Sequence, residues 1–160
     1  MPDIVCNTSP LQYLHQLGLL DIVKALVSQL IVPPAVVTKL AEGRARGVDL
    51  PDLGELNWVT VRSPVSSTAA PLVTDLGPGE TQVLMLALES PDAIVVLDDA
   101  PARQLAAALK LRLTGTLGIL LTAKRAGLLP AVGPQLDRLQ ALRFRLAPHT
   151  RAAVLKLAGE

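Results

Sequence analysis

Residues 93–118 read AIVVLDDAPARQLAAALKLRLTGTLG, and this stretch decides the class of fold. Its first five residues are almost continuously apolar, which suits a strand buried on both faces, as in a parallel sheet. Two aspartates follow, then APARQLAAALK reads as a helix and LRLT as the next strand. Further strand-like runs are IVC (4–6), LIV (30–32) and WVTV (58–61), with helix-like stretches between most of the five. Helices on both sides of such a sheet make a three-layer α/β/α domain around a central, mainly parallel five-stranded sheet. From TGTLG onward the chain reads as mainly helical, through TLGILLTAKRAG, PQLDRLQALR and PHTRAAVLKLAG. GRARGVDLPDLGELN and SPVSSTAAPLVTD read as loops. The 160 residues suit a single domain, 1–160, and half of them are apolar, enough for a substantial core.

Composition narrows the partners. VLMLAL is among the longest apolar runs, far short of the ~20 residues of a membrane span. MPDIVC lacks the basic and apolar regions of a secretory signal. The lone Cys6 excludes an internal disulfide and fits a reducing compartment. The expectation is a soluble, cytoplasmic protein with no membrane partner. A formal net charge of +1 advertises no global capture of nucleic acid. Tyr13, Trp58 and Phe144 are the full aromatic set, too few to stack successive bases. An enzyme that grips phosphates through metal ions remains compatible with both facts.

Ligands of open parallel sheets bind beyond the carboxyl ends of the strands. IVC ends at Asn7, AIVVL at Asp98 and Asp99, and LRLT at Thr114, followed by Gly115 and Thr116. One aspartate suffices to cap the helix that follows; a second adds repulsion and points equally to a cation. Period-2 alternation makes the two aspartates point in different directions. Glu80 is more telling. In GPGETQVLMLALE it stands three, four and seven residues before Val83, Leu84 and Ala87, so it points into the apolar face of its helix. A carboxylate there needs a partner. Arg103, as an ion pair, and a divalent metal shared with Asp98 or Asp99 are the two that the sequence offers, ion pairs being the commoner.

Other motifs are weak. TGTLG lacks both G-x-G-x-x-G and the P-loop pattern. His15, His149 and Cys6 have no metal-ligand spacing, and no G-x-S-x-G elbow exists. Arg143, Arg145, His149 and Arg151 form a modest basic patch, either a phosphate-steering rim or an ordinary solvated face.

Over nearly its full length the chain resembles the PIN-domain family, and more closely the small prokaryotic branch associated with type II toxin–antitoxin modules. The resemblance rests on NTSPL after the first strand, VPPAV, LGPGETQVLMLALE and VVLDDAPARQLAAALKLRLTGTLGILLTAKRAGLL. It implies a metal-dependent endoribonuclease, hence an RNA substrate, Mg²⁺ or Mn²⁺ and a cognate antitoxin. By position it assigns catalytic and metal-binding roles to Glu80, Asp98 and Asp99, with Asn7 as a further metal ligand. Thr114 and Thr116 match supporting polar positions, and Arg103 a recurrent arginine with a structural pairing role. Two residues depart from the family pattern. Asn7 stands where the family usually has Asp, and Lys39 where it usually has Glu. Asn can offer a neutral oxygen, but a protonated Lys39 repels a cation or pairs with Glu80 or an aspartate in its place. Glu42, one turn on, is the alternative carboxylate, although it lies opposite the apolar stripe of its helix. The same fold with a silent site, retained to bind a protein partner or RNA, is the competing expectation. Abundant Ala and Leu on the helices also predict a homo-oligomeric face.

Overall fold

A computed structural model describes residues 1–65 and 76–160. Among them run β1 (Asp3–Cys6), α1 (Thr8–Gln16), α2 (Leu20–Leu26), β2 (Gln29–Val32), α3 (Pro34–Ala45) and β3 (Val59–Val61). They continue as α4 (Pro78–Glu89), β4 (Ile94–Val96), α5 (Ala100–Ala108), β5 (Arg112–Thr114), α6 (Thr116–Arg125), α7 (Gly133–Ala141) and α8 (Pro148–Leu157). The strands form one sheet in the order β3-β2-β1-β4-β5, and every neighbouring pair is parallel. Val5 lies opposite both Ile31 and Val95 at its centre.

Successive strand residues face opposite sides of a sheet. Ile4, Val5 and Cys6 are all buried, as are Leu30, Ile31 and Val32, so helices cover both faces and the three-layer expectation holds. α2 and α6 pack together over the side carrying Ile4, Ile94 and Val96. The outer strands β3 and β5 keep partly exposed residues, as sheet edges do. No helix of the described residues is long and apolar enough to cross a membrane.

The stretch GRARGVDLPDLGELN is less irregular than its composition predicts. Gly43 to Ala45 complete α3, and Leu53–Glu55 forms a short 3₁₀ turn capped by Asp52. A Cβ on Gly43 would overlap Leu50 Cδ1, so this glycine clears room for a core leucine rather than breaking the helix. In SPVSSTAAPLVTD, residues 63–65 are irregular, and 66–75 lie outside the described residues.

The final third is fastened by a contact with no sequence signature. Both oxygens of Glu160 accept backbone N–H groups that open α7, from Val132 at 2.7 Å and Gly133 at 3.0 Å. Lys124 Nζ donates to the same carboxylate at 2.8 Å. These donors lower the Glu160 carboxyl from 4.5 to about 2. A depressed carboxyl stabilises the fold fully above its unfolded value of 4.5 and loses that contribution as pH falls through about 2. Glu160→Gln is therefore expected to lower Tm at neutral pH and to flatten the Tm–pH curve between those limits. Thermal melts across that range test it, and an unchanged acid limb would refute the assignment.

Candidate functional site

The chain winds outward from β1 through β2 to β3, then returns to lay β4 on the other side of β1. The crevice beyond β1 and β4 is thus the switch point where ligands of open parallel sheets bind. Asn7 leaves β1 there, its backbone N–H donating to the Val96 carbonyl at 3.2 Å. Although Asn7 occupies the N-cap position of α1, its side chain makes no capping bond. Nδ2 donates instead to Glu80 Oε1 at 3.1 Å. The partner of Glu80 is thus an amide, and Arg103 forms no ion pair with it among the described residues.

The GPGE motif makes this contact possible. A Cβ on Gly77 would lie 2.7 Å from Glu80 Oε2, and one on Gly79 would lie 3.1 Å from Asn7 Oδ1. Both glycines therefore keep the side chains of Asn7 and Glu80 free of obstruction. Asn7 is 2 % exposed, yet among the described residues its Oδ1 accepts no hydrogen bond, and Thr8 Oγ1, also buried, has none either. A buried acceptor left unpaired costs about 1–3 kcal/mol, so the amide is held at a cost to stability.

The two aspartates diverge. Asp99 is exposed and its Oδ2 accepts from Ala102 N at 3.0 Å, capping α5. Asp98 reaches across to α6, accepting from Thr116 N at 2.8 Å and Thr116 Oγ1 at 2.6 Å. Burial pushes its carboxyl above the ordinary range, opposed by the Thr116 bonds and the Arg103 charge. Arg103 Nη1 donates to the Leu97 carbonyl at 2.7 Å, tying α5 to the end of β4. A Cβ on Gly115 would meet Arg103 Nη1 and Asp98 Oδ1, both at 2.8 Å, so this glycine lets the ends of β4 and β5 close together. Thr114 lies against α6, where a Cβ on Gly118 would overlap its hydroxyl. Thr116 positions Asp98, and Thr114 spaces a helix.

Lys39 and Glu42 are exposed on α3, and among the described residues Lys39 makes no hydrogen bond or ion pair. Among the described residues Lys39 thus pairs with neither Glu80 nor an aspartate. Cys6 is buried beside Asp98, and both burial and that charge raise its thiol, which disfavours a nucleophilic role. Residues that the strand-end reading left out line a groove at the same strand end as the two aspartates. A groove of about 500 Å³ beside Asp98 and Asp99 is lined by Tyr13, Arg143, Phe144 and Arg145.

Among the described residues no group of three or more His, Cys, Asp or Glu side chains gathers to hold a metal. The donors present are the carboxylates of Glu80 and Asp98 and the amide of Asn7, whose nitrogen end faces Glu80. Hard oxygens of this kind suit a hard divalent cation bound through one or two carboxylates, waters and substrate phosphates. They fit such a loosely held ion rather than a closed cage.

The different duties of the aspartates have separable consequences. Asp99→Ala is expected to lose the α5 cap, about 1 kcal/mol, and lower Tm. Asp98→Asn removes a charge that burial disfavours while keeping an acceptor for Thr116, so Tm is expected to hold or rise. A fall in Tm as large as that of Asp99→Ala would overturn this account of Asp98.

A search of curated proteins finds no match. A family model described as a PIN domain matches residues 3–160, nearly the whole chain. The parallel five-stranded sheet agrees with that match, and the PIN domain is a nuclease-type fold whose members generally use divalent metal ions. The chain belongs to the PIN-domain family.

Proposed function

We propose that this chain is a metal-dependent endoribonuclease of the toxin–antitoxin kind, with Glu80 and Asp98 as its acids and Asn7 as a neutral ligand. The observation that carries this reading is the meeting of Asn7 and Glu80 at the switch crevice, beside the strand end that bears Asp98. Mg²⁺ or Mn²⁺, when bound, would polarise the scissile phosphate and lower the pKa of an attacking water. The chain's own residues prepare the crevice for it. Gly77 and Gly79 keep the Glu80 carboxylate and the Asn7 amide unobstructed. Thr116 fixes Asp98, and Arg103 braces the strand end from behind. Asp99 serves the site by starting α5 at the correct residue. A cognate antitoxin would cover the same crevice with an inserted segment, and the protein would act as a homo-oligomer in the cytoplasm.

One observation favours a second reading, a silent PIN module that binds RNA or a protein partner. The Asn7 amide already satisfies Glu80 with an N–H donor, where an aspartate would compete for a cation. The two readings separate in a Mn²⁺ titration. If the chain is a nuclease, Mn²⁺ raises Tm and supports cleavage of RNA, and Glu80→Gln abolishes both. Asn7→Asp sets a second charge against Glu80, so it is expected to lower Tm without metal and to enlarge the rise with Mn²⁺. No Mn²⁺ response in either the unaltered chain or Asn7→Asp would leave the silent module standing.

A further inference from the structure

Among the described residues six helix ends close in the same way. The residue just past the cap takes a positive φ, its N–H bonds the carbonyl three residues back, and the next N–H reaches back five residues. Four of these positions are glycine: Gly18, Gly47, Gly127 and Gly159. Two are cationic instead, Lys110 with φ 58° and Arg143 with φ 69°. A side chain in the left-handed region is disfavoured, and glycine is the residue that avoids the cost. Lys110 closes α5, whose first turn carries the Asp99 cap, so it sits at the far end of that helix from the crevice. Arg143 closes α7 and lines the groove beside Asp98 and Asp99.

The surroundings of Arg143 explain the exception. Arg143 and Arg145 are both exposed, and among the described residues neither makes an ion pair. Arg151, by contrast, is committed to Asp137 at 2.7 Å and Gln140 at 2.9 Å, away from the groove lining. Between the two arginines Phe144 packs edge-on against Tyr13, ring centroids 5.0 Å apart at 84°. The groove is thus lined by Asp98 and Asp99, whose carboxylates are held by Thr116 and Ala102, and by two exposed arginines flanking an aromatic pair.

We infer that this groove is a single-stranded RNA subsite, in which Arg143 and Arg145 take backbone phosphates and the Tyr13–Phe144 pair takes one base. The inference rests on the RNA substrate proposed above. Guanidinium forks match phosphate oxygens, and every base presents a face on which an aromatic ring can stack. One aromatic step suffices for one nucleotide, in keeping with a chain too poor in aromatics to stack a run. The left-handed turn at Arg143, like that at Lys110, accepts a cost that glycine would avoid, and at Arg143 it also carries a cationic side chain to the groove.

The test is anisotropy titration of a labelled, unstructured twelve-nucleotide RNA in EDTA, where hydrolysis cannot contribute. Arg143→Gly is expected to weaken binding while Tm holds or rises, because glycine relieves the backbone. Arg143→Gly with Arg145→Ala is expected to weaken binding about tenfold and to reduce the salt slope by ~0.7 per arginine. An abasic oligonucleotide should bind the unaltered chain more weakly than the parent. Unchanged affinity and slope, no RNA binding at all, or polyglutamate competing as well as RNA of equal charge would each overturn the inference, the last marking an acidic-peptide surface. Loss of binding in these variants, with no Mn²⁺-dependent cleavage by the unaltered chain, would keep the subsite and remove the nuclease reading. Cleavage with KM unchanged in Arg143→Gly would do the reverse.

Discussion

The parallel pairing of β1 with β4 is the constraint on which the crevice depends. It continues one residue beyond β1, where the Asn7 N–H donates to the carbonyl of Val96, the last residue of β4. That bond fixes the exits of two strands side by side although they lie some ninety positions apart in sequence. Polar residues follow both exits, Asn7 directly after β1 and Asp98 after the buried Leu97 that continues β4. Every other feature of the site is a way of holding those polar groups near one another at a tolerable cost.

The cost is managed locally. Glu80 enters from α4, pointing toward the sheet, and is met by an amide rather than a cation. Asp98 is drawn out of water, which disfavours its charge, and is held by two bonds from Thr116 at the start of α6, where a helix dipole also favours an anion. Glycines at 77, 79 and 115 remove the Cβ atoms that would block these approaches. The unpaired Asn7 Oδ1 is the part of the arrangement that the fold alone does not repay. Such a residue is expected at a working site and not in a core built only for stability.

Helix boundaries supply the rest of the precision. Proline stands in the first turn of α3, α4, α5, α7 and α8, where its missing N–H is harmless. Most described helices that end in a left-handed turn end at glycine; of the two departures, Lys110 and Arg143, the second lines the groove beside Asp98 and Asp99. Glu160 reaches back to open α7, so the segment bearing Arg143 to Arg145 is anchored at its start.

Sequence alone carried what short-range periodicity encodes: five strands, the helices between them, the parallel class of sheet, and polar residues at the ends of β1, β4 and β5. It placed Glu80 on an apolar helix face because 3.6-residue spacing is a local property. It left the partner of Glu80 open, since that depends on which strands lie side by side, and the sheet chose Asn7. The separate fates of Asp98 and Asp99 follow the same rule. Alternation says that neighbours diverge, but only the position of α6 makes one of them a ligand of Thr116 and the other a cap. Lys39 shows the limit from the other side: likeness gives its place in the chain, but whether its ammonium finds a partner depends on what the fold sets beside α3, and among the described residues it has no ion pair. Long-range contacts join residues whose separation no local pattern records, and they decided the site.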